Sequence, residues 1–411
     1  MDFQIEPNTE PGKKMVELAE MHASDFFERS SKHDQEKTFV YENIDSIRKS
    51  GFAASAIPVE YGGLGVTSAH DCMVAMNRLG RGDGSTSLAF NMHLFRTLNI
   101  SRLLERSLAN GDRSKQIRCE EMLRQIGSGN AIISVANSEP GADIRTSRSS
   151  AEKVEGGWIL NGSKTFATGS PSADYLAVRA RYQNENGEDR MGSAIVPVDR
   201  EGVEILDNWN GMGMRGSGSH DVIFSDYFIR DNEFDDLGEY GKFNAGFLAT
   251  SGGATLGLSS VFLGIAEKAH SIVIESIISR DRQRQPLVQS LAAENEIGIA
   301  AARAMLSRGA TSFDQFYLAN NRPNSSESVP SMDPFVVVKN AACTKKFVNE
   351  TANQIVDRCI TMSGGSGFLD SNVLSRLYRD VRAGPLMQPF ASMQAIEFIG
   401  KVSLGVDPND E

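Results

Sequence analysis

Residues 134–181 gather side chains that could hold a ligand. Ser138-Glu139-Pro140-Gly141-Ala142-Asp143 is a polar turn after the apolar run Ala131-Ile132-Ile133. Beyond it come the pair Asn161-Gly162, set among alternating apolar residues, and then Lys164-Thr165-Phe166-Ala167-Thr168-Gly169. An Asn-Gly pair in that setting is the strongest short-range hairpin signal. A small β-domain with hydroxyls and backbone amides in its loops is expected here. Taken alone, Ser138 reads as a hydroxyl that closes a turn, and Phe166 and Thr168 as ordinary strand residues. Two more groups stand later in the chain. Arg280, Arg282 and Arg284 carry planar forks that pair with phosphate oxygens or form a solvated charge cluster. Gly364, Gly365 and Gly367 let backbone approach a ligand closely or cap a helix.

The elements that must position these groups fall into three blocks: residues 1–130, 131–235 and 236–411. In the first, Met15, Leu18, Ala19, Met21 and Phe26-Phe27 recur among charges with a helical period. A second helix over 43–50 ends at Gly51, and 57–65, rich in Gly and Pro, forms an ordered loop. Helical spacing returns over 68–80, and a further helix starts near Arg81-Gly82-Asp83-Gly84-Ser85-Thr86, capped by Asp83 or Ser85. The middle block holds short strand-like runs between turns, such as Trp158-Ile159-Leu160 and Tyr175-Leu176-Ala177-Val178. It suggests a barrel or sandwich. In the last block Leu258, Val261, Phe262, Ile265, Ala269 and Ile272 form one stripe. Helices follow over 288–318 and 334–362, with an exposed loop over 319–333. The expected fold class is therefore α+β multidomain, with helices and strands segregated.

Composition narrows the function. A formal net charge of −11 argues against a nucleic-acid face, which would be basic. Cys72, Cys119, Cys343 and Cys359 lie far apart with neither metal-ligand nor disulfide spacing, so reduced thiols and no metal are expected. The polar, acidic start is not a secretory signal, and no apolar run reaches the ~18 residues of a membrane span. A cytoplasmic enzyme or binding protein is the expectation.

Five motifs then recur in a telling order: Tyr61-Gly62-Gly63-Leu64-Gly65, Glu139-Pro140-Gly141-Ala142, Asn161-Gly162-Ser163-Lys164, Gly213-Met214-Arg215, and Gly364-Gly365-Ser366-Gly367-Phe368 with Arg379-Asp380. Together they resemble the acyl-CoA dehydrogenase superfamily over essentially the whole chain. The resemblance implies an N-terminal all-α domain, a middle β-domain, a C-terminal four-helix bundle, non-covalent FAD, and a homodimer or homotetramer. It places Ser138 at the flavin pyrimidine edge, where hydrogen-bond donors favour the reduced anion. It also puts Phe166, in place of the usual Trp, over the ring, and Thr168 near flavin N5. It assigns one of Arg280 and Arg282 to the FAD pyrophosphate, although the usual Phe-Gly is missing after them. Gly364, Gly365 and Gly367 would line the cofactor, with Thr361 standing where a Gln is common. Arg215, Ser217 and Met387 would meet the substrate.

One position departs sharply. Dehydrogenation of an acyl thioester needs a carboxylate to take the α-proton. The family's usual Glu, nine residues after the Arg of the Arg-Asp pair, falls on Gln388, whose amide cannot accept it. The alternative base, carried by the first bundle helix in some members, falls in Gly253-Ala254-Thr255. The reading therefore leans to an oxygen-using flavoenzyme, a monooxygenase or oxidase acting on an acyl thioester or similar small molecule. In that reading His93 could orient oxygen at the flavin, against its ordinary reading as a satisfied core residue. The alternative is an α,β-dehydrogenase of an acyl-CoA or acyl-carrier-protein with a base from elsewhere, served by an electron-transfer flavoprotein. A flavoprotein that binds without turnover is a third reading.

Overall fold

The computed structural model describes residues 3–321 and 332–410. Helix α1 (Glu10–Glu36) starts where the Thr9 side chain accepts from Gly12 N, and it ends at Lys37 in left-handed backbone. It buries Met15, Ala19 and Phe26. Helices α2 (Tyr41–Lys49), α3 (Ala69–Gly80) and α4 (Gly84–Asn110) follow. Asp83, not Ser85, caps α4, accepting from Thr86 N. The sequence reading had no counterpart for α5 (Arg113–Gly127), which buries only Cys119, Leu123 and Ile126. Its charged sequence leaves a stripe too thin to stand out.

The middle region is one eight-stranded sheet. Its strands are β1 (Ile133–Ala136), β2 (Ser150–Val154), β3 (Gly157–Ala167), β4 (Tyr175–Gln183), β5 (Asp189–Pro197), β6 (Val203–Ile205), β7 (His220–Arg230) and β8 (Phe234–Glu239). The order is β6-β7-β3-β2-β4-β5-β8, with β1 parallel to β4. Alternation along β4 sends Leu176, Val178, Ala180 and Tyr182 into a core shared with Val196, Phe224 and Tyr227, whereas Ala177 faces Ile100, Leu104 and Leu123 of α4 and α5. That outward face fixes the sheet to the N-terminal helices.

Asn161-Gly162 is not the expected hairpin turn. It lies inside β3, and the chain reverses between β2 and β3 at Glu155-Gly156. Here β7 bulges opposite the pair: Leu160 faces Tyr227 while Gly162 faces Phe224. Asn161 holds the bulge by accepting from Asp226 N at 2.8 Å, and Asp226 takes a left-handed φ of 50°. A Cβ on Gly162 would meet Ser149 Oγ at 2.1 Å, so the glycine allows close approach of a neighbouring segment. The same residue types serve a turn or a bulge, and only the partner strand decides.

The chain returns to helices in α6 (Ala245–Ser279), α7 (Pro286–Asn321), α8 (Pro334–Ser363), α9 (Val373–Val381) and α10 (Ser392–Ser403). Val261, Phe262, Ile265 and Ala269 of α6 are buried as the stripe required, with Ile272 packed beside them. They share one core with Cys72, Met73 and Met76 of α3 and Val348 and Ile355 of α8. The α3–α6 crossing is tight: a Cβ on Gly264 would sit 2.3 Å from Asn77 O. Of the loop expected over 319–333, Ala319–Asn321 still belong to α7, and 322–331 lie outside the described residues. Among the described residues no helix is long and apolar enough to cross a membrane.

Candidate active site

After β1 the chain turns through Asn137 and Ser138, and Ser138 O accepts from Thr165 N at 2.8 Å. This single bridge sets the turn beside the end of β3. Phe166 there takes a left-handed φ of 56° and leaves 60 % of its surface exposed. A bulky residue held in left-handed backbone and showing its ring to solvent is strained, a pattern that clusters at ligand sites. Its ring stands edge-on to Trp209, centroids 6.0 Å apart. Beside it, Thr168, Ser219 and Ser217 form a buried chain of hydroxyls, Thr168 Oγ1 to Ser219 Oγ at 2.9 Å and Ser219 Oγ to Ser217 Oγ at 2.8 Å. Ser134 Oγ donates to Thr168 O. Ser138, Phe166, Thr168 and Ser217 are thus gathered on one wall.

A buried ion pair supports this wall. Glu139 Oε1 accepts from Lys164 Nζ, from Ser149 N at 3.0 Å and from Ser147 Oγ at 3.0 Å, and Oε2 accepts from Arg148 N. Burial opposes the Glu139 charge, but Lys164 and these hydrogen bonds outweigh it and hold the carboxyl at about 2. The pair joins the loop after β1 to β3.

Other expected residues stand elsewhere. His93 is fully buried, its Nε2 donating to Ala53 O at 2.9 Å and its Nδ1 accepting from Ile133 N at 3.1 Å. Burial pushes the imidazole down to about 4. Both ring nitrogens are bonded to backbone, which makes His93 a tie between α4, the loop at Ala53 and β1. Arg215 leans on α1, with Nε 3.9 Å from Asp34 Oδ1, the carboxylate that Arg379 also grips. Expected as a substrate contact, it stands where the loop before β7 meets α1. Arg282 donates to Met362 O at 3.1 Å and lines a small hollow with Arg280, Ser363 and Ser366. Gly364 and Gly365 are exposed beside it, with open space where a Cβ would stand, and Gly367 is buried. Met387 packs on the helical core, and the exposed Gln388 donates to Gln394 Oε1 at 3.1 Å. The buried Lys345 holds this segment through Met387 O and Pro389 O, and desolvation pushes its ammonium down to about 7.

Trp209 and Asn137 had no signal in the sequence. His220 is buried and accepts at Nδ1 from Asn208 N and Trp209 N, which fixes Trp209 beside Phe166. The two rings come from segments 43 positions apart in the chain, a distance that no local pattern bridges. Asn137 Oδ1 is buried without a partner. An orphan buried acceptor beside an exposed, strained aromatic fits the hydrogen-bonding edge and flat face of an isoalloxazine ring. Among the described residues no group of three or more His, Cys, Asp or Glu could hold a metal ion.

Comparison with known proteins agrees. The acyl-CoA dehydrogenase N-terminal domain model matches residues 13–102, the middle domain model 133–227 and the C-terminal domain model 256–388. The chain is similar to amino sugar nitrososynthase DnmZ of Streptomyces peucetius, 30% identical over 97% of this chain and 95% of that protein. It is similar to L-evernosamine nitrososynthase of a Micromonospora strain, 28% identical over 98% of this chain and 93% of the relative. Among solved structures, KijD3 in complex with FMN and dTDP-3-amino-2,3,6-trideoxy-4-keto-3-methyl-D-glucose superposes with a TM-score of 0.89 at 28% identity, covering 98% of this chain and 96% of that one.

Proposed function

The chain belongs to the acyl-CoA dehydrogenase family and is a flavin-dependent oxidoreductase, and from that premise we propose that it is an oxygen-using member that oxygenates the amino group of a nucleotide-linked sugar. One observation carries this reading. Neither place where the family keeps its base offers a carboxylate: 253–255 is Gly-Ala-Thr, and 388 is an exposed glutamine. Removal of an α-proton has no acceptor there. Oxygenation of an amine needs none, because the nitrogen lone pair is itself the nucleophile. The names of DnmZ and L-evernosamine nitrososynthase, and the sugar nucleotide in KijD3, supply the substrate class.

Reduced flavin with dioxygen supplies the oxygen atom and two electrons, the second oxygen leaving as water. Everything else falls to this chain. Ser138 and Asn137 would hold the polar edge of the ring, with the carboxamide of Asn137 satisfied only when the ring is bound. Phe166 and Trp209 form an apolar wall that keeps water away. The hydroxyl chain Thr168–Ser219–Ser217 can hold and pass a proton between neutral groups, without a titrating base. The reading uses only the isoalloxazine ring and first phosphate, which FAD, implied by the family resemblance, shares with the FMN of KijD3.

The test supplies purified protein with reduced flavin, isotopically labelled dioxygen and a dTDP-linked amino sugar. One labelled oxygen on the amine nitrogen is expected, as is a yellow protein that releases FAD or FMN on denaturation. Anaerobic bleaching of the flavin by an acyl thioester, with an enoyl product, would overturn the reading in favour of α,β-dehydrogenation.

A further inference from the structure

Two arginines, Arg96 of α4 and Arg179 of β4, stand near the convergence of α4, the sheet and the start of α6. On α4, His93 is bonded to the start of β1, and Phe95 lies against Gly253 and Gly257 of α6. Arg96 leaves the helix between those two directions, toward the junction of sheet and α6. Arg179 comes from the outward face of β4. Its guanidinium lies 5.7 Å from the Phe247 ring in the first turn of α6, and one nitrogen donates to Ile144 O at 2.8 Å. Both side chains are part-buried.

Among the described residues neither has an ionic partner. Arg96 makes no hydrogen bond or ion pair among the described residues, and Arg179 Nε is buried without an acceptor. Burial first, and then the charge of Arg96, brings Arg179 down to about 10, so the two cations sense each other. The nearest carboxylates are committed elsewhere: Glu139 to Lys164, and Asp143 to Arg145 at 2.7 Å. Arg96 and Arg179 therefore add two guanidiniums to a place whose nearby carboxylates are already paired. Unpaired guanidiniums in a partly desolvated place are costly and mark a site that an anion completes. An acyl chain would leave these two charges uncompensated.

We propose that Arg96 and Arg179 form a subsite for the diphosphate of a nucleotide-linked substrate. This rests on the oxygenase reading and deepens it by naming what anchors the substrate while its amine stands at the flavin. Planar forks from two elements suit a dianion with several equatorial oxygens better than a single carboxylate. The same phosphate chemistry could come from the flavin's own phosphate, and the test separates the two.

Flavin-loaded wild type, Arg96→Gln, Arg96→Lys and Arg179→Gln are titrated by calorimetry with thymidine diphosphate and with thymidine. In parallel, the apoproteins are titrated with FMN and with riboflavin. The Gln variants are expected to weaken thymidine diphosphate roughly tenfold to a hundredfold, leave thymidine unchanged, and steepen no salt dependence. Arg96→Lys should recover part of the loss. Arg96 makes no hydrogen bond or ion pair among the described residues, so Arg96→Gln is expected to keep its fold even if Arg179→Gln does not. Undiminished thymidine diphosphate binding in Arg96→Gln would overturn the proposal. So would a loss confined to FMN and absent with riboflavin, which would assign the subsite to the flavin phosphate. Arginine-dependent diphosphate binding without amine oxygenation would leave this subsite standing and refute the oxygenase reading instead.

Discussion

The loops after β1 and β3 and the segment 384–390 are both held firmly, yet only the loops present groups fit for chemistry. In the loops, a buried carboxylate with five donors on it anchors a turn, and three hydroxyls run in sequence behind an exposed aromatic ring. In the segment the backbone is equally well anchored: Lys345 grips Met387 O and Pro389 O, and Asn349 donates to Gly384 O at 2.9 Å. Its side chain at the decisive position, however, is an exposed amide bonded to another glutamine. Scaffold and chemistry are separable here. The fold fixes where residue 388 sits, and the exposed amide there offers no acceptor for a proton.

That contrast can be broken most forcefully at its anchor. Lys164→Met strands Glu139 in a dry site and should cost about 3–5 kcal/mol, the usual penalty for removing one partner of a buried pair. Chemical denaturation reads it, and adding Glu139→Gln should restore part of the loss. Next in size is His93, whose folded pKa of about 4 lies below its ordinary 6.5. Depression means that the neutral form is the bound one. Its contribution is therefore present above pH 6.5 and is lost as pH falls toward 4, by about 3 kcal/mol at most. A second proton on Nδ1 would face the Ile133 N–H, donor against donor. Melting temperature across this window should fall steeply in wild type and more gently in His93→Asn.

Smaller effects sharpen the comparison. Phe166→Ala should weaken flavin binding roughly tenfold, in line with about 1–1.5 kcal/mol for an aromatic contact, as fluorescence titration would show. An unchanged affinity would mean that this ring is not part of the cofactor wall. At the other region, Gln388→Ala should change stability by no more than about 0.5 kcal/mol, typical of an exposed site. Its oxygenation rate should stay within about twofold of wild type. Gln388→Glu should likewise produce no enoyl thioester from acyl-CoA, as product chromatography would reveal.

Local signals were legible where a residue acts on its own neighbours. Asp83 as a cap, the α6 stripe and the alternation of β4 follow from spacing that a helix or strand turns directly into burial. Asn161-Gly162 misled because its role is set by a bulge in β7, some 65 residues away. Trp209 went unseen as a site residue for the same reason: loop packing brings it to Phe166. His93 looked like chemistry because an imidazole is always a candidate, and only the fold shows that both nitrogens are bonded to backbone. Order and spacing of motifs carried the fold, whereas the site depended on contacts between distant segments.

Asp34 has one more consequence. Standing near the end of α1, it takes Arg379 of α9 through both carboxylate oxygens and has Arg215 of the β-region beside it, while Asp380 accepts from Met214 N. Helices from both ends of the chain and a loop of the sheet therefore meet around a few buried charges. Pulling any one of the three away would break an ion pair or hydrogen bond of this buried cluster. The three regions are thus mechanically one body, expected to melt in a single cooperative transition and to resist release as separate fragments by limited proteolysis.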